Sequence, residues 1–361
     1  MKSLKAIVSQ KTVSEQEYMT VILNAVISSA KYGLVYETER NKIFSTRANL
    51  HALVIMPFSA GKTSTFFNIK SGIYAYDITF PGLIGSVTKD GEVIESSLMK
   101  AGGKTVIIDE FQLLSLDVKN AMNSILEYPH TYSRNLGFKI ARSVSKGNKY
   151  FKISAKAGSN SFSVYSKFSC IAGGMYLTKK STIDKAWFSR FVPIRLSPSI
   201  DWYEKMSKGE KLISIYPKYY EGDFKIRNYL ELNEIYWDVI KSSNVSLYFE
   251  SHKNETGYLV RAMQDVMRIS CFIASLNNNV IIRKRDFMDS LKFLPHMLSA
   301  YIYSDLDELD FYLVSSYPSI NQTEVSEKYR VSQASISRRI EKLQEQGLLR
   351  IAENQMNNEL V

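Results

Sequence analysis

Gly61, Lys62 and Thr63 stand together in the stretch His51 to Thr65, HALVIMPFSAGKTST. Glycine, lysine and a hydroxyl residue in that order are what a phosphate-binding loop uses. Backbone N–H groups of such a loop, and of the helix behind it, face phosphate oxygens. Lys62 is expected to reach the β- and γ-phosphates of ATP, and the Thr63 hydroxyl to ligate Mg²⁺. Ser59, Ala60, Gly61 and Ser64 complete the cradle. One position departs from the GxxxxGK[ST] pattern: Met56 stands where the first glycine is expected. Glycine is favoured where backbone turns tightly or takes a positive φ, so this loop must turn with a side chain in place.

Asp109 and Glu110 are the second chemical pair, in KTVIIDEFQ. An apolar run, Val106 to Ile108, delivers both carboxylates at its C-terminal end, where ligands of open α/β sheets bind. Asp109 is expected to hold Mg²⁺ through water, and Glu110 to polarise the attacking water. Catalysis at a γ-phosphate is largely positioning and charge neutralisation. Two halves of one site thus occur in a workable order. Arg190, in Trp187 to Arg195 between apolar neighbours, is a candidate arginine finger acting on a neighbouring subunit's ATP. A salt-bridged surface arginine is the plainer reading of the same residue.

These residues need a scaffold. Ala52 to Met56 reads as a strand, Ser64 to Lys70 as a helix, and Ile73 to Phe80 as a second strand. Gly85 to Ile94 carries a DG turn between β-branched residues, a hairpin signal. Asp117 to Tyr128 is an amphipathic helix, and Phe168 to Met175 a buried strand. Near the start, Ser14 and Glu17 form a capping box for a helix that is expected to pack on the nucleotide core. Gly257 to Ser275 is helical, and Lys284 to Ser304 a further helix pair.

The charge is uneven. The chain of 361 residues carries a net +10, with pI about 9.2, which points to an anionic partner, nucleic acid first. No acidic residue occurs between Glu127 and Asp184, while basic residues and aromatics alternate there. Lys152 to Lys167 reads as a β-hairpin with Lys156 near its tip. Lys89, Arg142, Lys152 and Lys156 are candidate contacts to DNA phosphates, with the aromatics as stacking partners. No apolar run approaches a membrane span, and no signal peptide is evident. Two cysteines, Cys170 and Cys271, lie in apolar segments and read as reduced core residues of a cytoplasmic protein. The four histidines are scattered, so no zinc site is expected.

The end of the chain reads as a separate unit. Helices are expected over Asp305–Ser316, Asn321–Tyr329 and Ser332–Gln346, the last ended by Gly347. A strand from Leu348 to Ile351, with a return over Met356 to Val361, would make this a winged helix-turn-helix. Its third helix presents Gln333, Ser335, Arg338 and Arg339, which suit a major-groove reader. Winged helices also dock proteins, and that alternative stays open.

Taken together, the motifs resemble the minichromosome maintenance (MCM) helicases, a branch of the AAA+ ATPases, over roughly residues 50–300. The resemblance rests on the P-loop, on Gly82–Val87 with the hairpin near Asp90-Gly91, and on Asp109-Glu110-Phe111. It rests also on Ala155-Lys156-Ala157-Gly158, Ser189-Arg190-Phe191, and the pair Arg261 and Arg268. It implies an α/β fold: a P-loop AAA+ nucleotide-binding core with a helical lid, plus the C-terminal winged helix-turn-helix domain. The expected organisation is a helical leader over 1–45, the ATPase core with basic hairpin insertions over 46–200, a lid or connector over 201–303, and the winged helix over 304–361. It implies a DNA-dependent ATPase acting as helicase or translocase in DNA replication of an archaeal mobile element or virus. ATP and Mg²⁺ are the implied cofactors. Lys62 and Thr63 bind ATP, Thr63 and Asp109 the metal, and Glu110, Arg190 and Arg261 act in catalysis, Arg261 as the sensor-2 residue. A site completed in trans implies a homo-oligomeric ring, a hexamer by resemblance, with Lys156 in a central channel.

The chain departs from the family at three places. The sensor-1 asparagine falls on Gly174 or Met175, the P-loop has Met56, and residues 1–50 are too few for the large N-terminal DNA-binding domain. An ATP-switched replication initiator or regulator, addressed by its winged helix and slow to turn over, is therefore the second expectation. A packaging or transposition motor fits the same residues.

Overall fold

The computed structural model describes residues 3–37, 45–76, 78–83, 86–87, 93–126, 151–157, 160–166, 168–175, 188–243 and 245–349. The chain opens with α1 (Leu4–Val8) and α2 (Glu15–Ser28). The capping box of α2 is closed from both sides: the Glu17 N–H donates to Ser14 Oγ, and the Ser14 N–H to the Glu17 carboxylate. After it come β1 (Tyr32–Glu37) and β2 (Ser45–Arg47). The strand before the Gly61-Lys62-Thr63 loop is β3 (His51–Met56), followed by α3 (Lys62–Phe67), β4 (Gly72–Tyr74) and α4 (Phe80–Leu83). A two-stranded ribbon, β5 (Ser86–Val87) with β6 (Val93–Ile94), precedes β7 (Thr105–Ile108) and α5 (Leu116–Leu126).

A hairpin of β8 (Phe151–Ala157) and β9 (Asn160–Ser166) leads to β10 (Ser169–Met175) and β11 (Val192–Arg195). The remainder is largely helical. It runs through α6 (Ile200–Ser207), β12 (Gly222–Ile226), α7 (Tyr229–Ser242), α8 (Val245–Ser251) and α9 (Gly257–Leu276). Then come β13 (Ile281–Ile282), α10 (Lys284–Leu291) and α11 (Leu294–Ile302). Three more helices follow: α12 (Glu308–Ser316), α13 (Gln322–Tyr329) and α14 (Gln333–Glu345).

The protein is α/β. Its main sheet has the order β11–β3–β10–β7–β4, and every pairing is parallel. Parallel strands covered on both faces read as continuous apolar runs. HALVIM in β3 is buried at all six positions, and TVII in β7 at all four. Register aligns the strand ends. Met56 pairs with Met175, and Ile108 with Ala172, so β3, β10 and β7 deliver their C-terminal loops to one edge.

Helix α2 lies against this sheet, where the Tyr18 hydroxyl donates to the Pro193 carbonyl at 2.8 Å. A second sheet has the order β13–β12–β1–β2, with β1 parallel to β12 and antiparallel to β2. Residues of the segments expected over 1–45 and 201–303 thus share one sheet.

Three expectations change. The strand expected over Ile73–Phe80 is only Gly72–Tyr74. Among the described residues it is an edge strand paired with β7 alone, which offers four residues for pairing. The helix expected from Ser64 begins two residues earlier, because left-handed Gly61 is its N-cap. Leu348 and Leu349 are helical and buried rather than extended, packing under α14 after Gly347 turns the chain at φ 72°. The return expected over Met356–Val361 lies outside the described residues.

Candidate nucleotide site

The loop after β3 turns on two left-handed residues, Ser59 (φ 60°) and Gly61 (φ 80°). Met56 is the last residue of the strand and is fully buried. The position expected to need glycine is therefore extended here, and the turn has moved to Ser59. Gly61 is favoured by its backbone and packs closely on Met206. Its φ suits glycine, and a Cβ there would stand 2.7 Å from Met206 Sδ.

Helix α6 covers the loop. The Trp202 indole N–H donates to the Ala60 carbonyl at 3.0 Å. Thr65 is held by its hydroxyl on the Gly61 carbonyl at 2.9 Å, which fixes the first turn of α3. Phe66 is buried beneath that turn, where a Cβ on Gly173 would meet its ring.

The two sequence motifs meet. Lys62, 8% exposed, places its ammonium 3.0 Å from Asp109 Oδ1 and 3.1 Å from Glu110 Oε1. The Thr63 hydroxyl donates to Asp109 Oδ2 at 2.7 Å. Glu110 is left-handed at φ 57°, a conformation that costs a non-glycine residue about 1–3 kcal/mol. It is held by the Asp109 carboxylate, which accepts the Glu110 N–H at 3.0 Å, and by buried Phe111. Gln112 donates its amide to Glu110 Oε2. Ser64 is exposed on the first turn of α3.

The donor set suits Mg²⁺. That ion takes one or two carboxylates and a hydroxyl beside phosphate oxygens, rather than an all-protein cage. Among the described residues, no group of three or more His, Cys, Asp or Glu gathers as such a cage. Asp109 and Thr63 are the residues that would hold the ion.

Gly174 and Met175, on which the resemblance puts the sensor-1 residue, carry no hydrogen-bonding side chain. A Cβ on Gly174 would lie 2.3 Å from Phe111 Cε1, so the ring that anchors the carboxylate loop fills that space. Met175 alternates with it and shares a face with Gly173, where a Cβ would approach Lys62 Cδ at 3.0 Å.

Arg190 and Arg261 are elsewhere. Val192 pairs with Ala52, so Arg190 stands beyond the N-terminal end of β3, and four residues or about 13 Å of strand separate Ala52 from the loop end. The Arg190 Nε donates to the Asn123 carbonyl of α5 at 2.8 Å. Arg47, buried, donates to the Leu126 carbonyl and, at 3.3 Å, to the Arg190 carbonyl. Arg268 donates to Asp265 and to the Arg47 carbonyl. Burial pushes the Arg47 guanidinium well below its usual range, and the charges of Arg268, Arg261 and Arg190 add to it. Burial also raises the Asp265 carboxyl, against the pull of Arg268, Arg47 and Arg261. Both candidate arginines thus gather around Arg47, at the end of the sheet away from Lys62.

Of the candidate DNA contacts, Lys152 and Lys156 fall on β8, where Lys156 pairs with Ser161 and the pair Ala157 with Asn160 closes the ladder. Lys89 and Arg142 lie outside the described residues. In α14, Gln333 bonds Thr323 at 3.0 Å, and Arg338 is exposed. Ser335 lies in the first turn, its N–H donating to Ser332 Oγ. Arg339 is committed inside the unit: its guanidinium donates to Asp307 at 2.7 Å and to Asp310 at 2.6 Å.

Sequence reasoning missed Gln112, Trp202 and Met206. Gln112 could have been found from its place beside the carboxylates. The other two are brought to the loop by tertiary packing alone. No protein-family model matches the chain, and no curated protein is significantly similar to it in sequence. Among the described residues, no helix is long and apolar enough to cross a membrane.

Proposed function

We propose that the chain is a DNA-dependent ATPase of the AAA+ class, MCM-like, with a helical lid or connector over residues 201–303 and a winged helix at its C-terminus. One observation carries the reading: Lys62 and Thr63 meet Asp109 and Glu110 at the C-terminal edge of a parallel sheet. On this reading the ion pairs are a resting arrangement. Lys62 would bind phosphate, Asp109 and Thr63 would hold Mg²⁺, which would neutralise phosphate charge, and Glu110 would orient water. Arg190 and Arg261 act on a neighbour's ATP, since their own Lys62 lies at the other end of the sheet.

Exposed apolar side chains support an assembly. Phe58 stands on the P-loop and Ile200 on α6, Phe67 and Tyr76 each stack on Tyr74 of β4, and Leu113 and Leu116 lie just before and at the start of α5. The stacked exposed rings of Phe67 and Tyr76 beside Tyr74 are the kind of apolar patch that an interaction surface uses. A ring, hexameric by resemblance, brings one subunit's arginine end to the next subunit's site. DNA is engaged by the hairpin lysines Lys152 and Lys156 and by Gln333, Ser335 and Arg338.

The test is a pair of variants. Lys62→Ala is expected to lose ATP binding. Glu110→Gln is expected to keep binding and lose turnover by about 10²–10⁴-fold. Wild-type protein that neither binds nor hydrolyses ATP would refute the proposal. The second reading, an ATP-switched initiator, draws on Gly174, where no side chain is available to orient water. It predicts site-specific DNA binding that needs ATP but not its hydrolysis.

A further inference from the structure

We infer that the helical layer carries a second contact surface for a nucleic-acid backbone, along two adjoining depressions that meet at Asn279 and Arg283. The inference rests on the DNA-binding reading above and adds a surface to it. The first depression, about 500 Å³, lies outside the C-terminal ends of the parallel strands β12 and β13, with Arg227, Asn228 and Lys284 on its walls. The second, about 610 Å³, continues toward α1 and is lined by Lys5, Asn277 and Arg285. Both share Asn279 and Arg283.

Charge decides what fits. Three acids face this track: Glu231, Asp286 and Asp289. Each is already engaged. Glu231 holds Lys284 at 2.7 Å, and Asp289 holds Lys292 at 2.5 Å and Arg285 at 3.8 Å. Buried Asp286 accepts the Arg283 N–H at 3.0 Å and caps α10. Lys5, Arg227 and Arg283 remain as exposed cations without an ion pair among the described residues. The Arg283 guanidinium donates to Asn279 Oδ1 at 3.3 Å, which holds it on the wall common to both depressions.

Cations spaced along an open track, with amides between them, match a repeating phosphodiester better than a single phosphate, which needs donors converging on one point. The contacts reach no base-reading element, so the surface fixes the path of the strand without reading its sequence.

The experiment measures binding of the full chain to fluorescently labelled random-sequence DNA across a salt series. The triple variant Lys5→Gln/Arg227→Gln/Arg283→Gln is expected to lower the slope of log K against log salt by about 2–3, one counterion per lost contact. Its DNA-free ATP turnover stays at the wild-type rate, and Arg227→Lys/Arg283→Lys keeps the wild-type slope. A triple variant with the wild-type slope overturns the inference while leaving DNA binding elsewhere intact. Competition by inorganic phosphate at matched ionic strength, removed by the triple variant, would mark a discrete phosphate site and also overturn it. Wild-type protein that binds no DNA at any salt overturns this inference together with the DNA-binding reading.

Discussion

Gln112 donates its side-chain amide to Glu110 Oε2, while Lys62 holds the other oxygen of that carboxylate at 3.1 Å. The residue assigned to orient water is thus held from both sides. On the proposed reading, a bound phosphate would draw Lys62 away and leave Gln112 as a restraint on Glu110. Gln112→Ala is expected to leave ATP affinity within about twofold and to lower kcat about tenfold, a fraction of the loss from removing a base. Gln112→Glu replaces the amide donor with a like charge beside Glu110 and is expected to lower kcat further than Gln112→Ala. Steady-state kinetics of both variants check this. An unchanged kcat in both variants would remove Gln112 from the site.

Gly174 and Phe111 define the second prediction. With 2.3 Å between a Cβ placed on Gly174 and the ring, Gly174→Ala must displace Phe111 and the loop that it anchors. Overpacking of this kind costs about 1–3 kcal/mol, read as a lower thermal midpoint. Gly257→Ala, where nothing lies within 4 Å, serves as the neutral control. Met175 faces the Lys62 side, and it is half-buried. Met175→Asn supplies an amide there and is expected to raise turnover severalfold if slow hydrolysis comes from the missing polar group. Stopped-time phosphate release on Met175→Asn measures it, and an unchanged rate would assign slow turnover to another cause.

The ends of the site are legible in the sequence, and its walls are hidden. GKT after an apolar run and DE after another are local patterns, and a parallel sheet brings such strand ends together by its topology. Phe111 on Gly174 and Met206 on Gly61 are not legible, because close approach between distant segments leaves no mark on either. The Met56 departure looks severe from the pattern alone. The structure relieves it by placing the left-handed turn at Ser59. Arg339 reads as a DNA contact by helix position, yet Asp307 and Asp310 take its guanidinium from the start of α12. Edge strands are the other weakness: Ile73–Phe80 has apolar alternation but only one short neighbour to pair with.

Arg190 lies beyond the N-terminal end of β3, so it cannot serve the Lys62 of its own chain. Mixing is therefore diagnostic. Lys62→Ala and Arg190→Ala proteins, each inactive alone, are expected to recover part of the wild-type ATPase when combined. A mixed assembly then pairs an intact Lys62 with an intact Arg190 from the next subunit. Activity measured against mixing ratio checks this, with native mass confirming co-assembly. Co-assembled mixtures that stay inactive at every ratio would remove Arg190 from the catalytic reading.

His51 gives the chain a predicted acid sensitivity. It is buried at the start of β3, and its Nδ1 accepts the Cys170 N–H at 3.0 Å, a bond that requires the neutral ring. Burial holds its pKa well below the usual histidine value, and the charges of Arg47 and Arg268 lower it further. Burial also lowers His296. The sign follows from where the proton goes first. As pH falls through about 6.5, the unfolded chain protonates while the folded chain does not, so stability is full above that pH and declines below it. Each such histidine contributes a slope of up to about 1.4 kcal/mol per pH unit. Burial raises the carboxyls of Asp265 and Glu15, which titrate with the opposite sign and offset part of the loss. The difference between wild type and His51→Gln isolates the histidine. Denaturant melts at successive pH values from about 8 to about 5 are expected to show a shallower decline in the variant below about pH 6.5. Parallel declines would show that His51 is not the group being titrated.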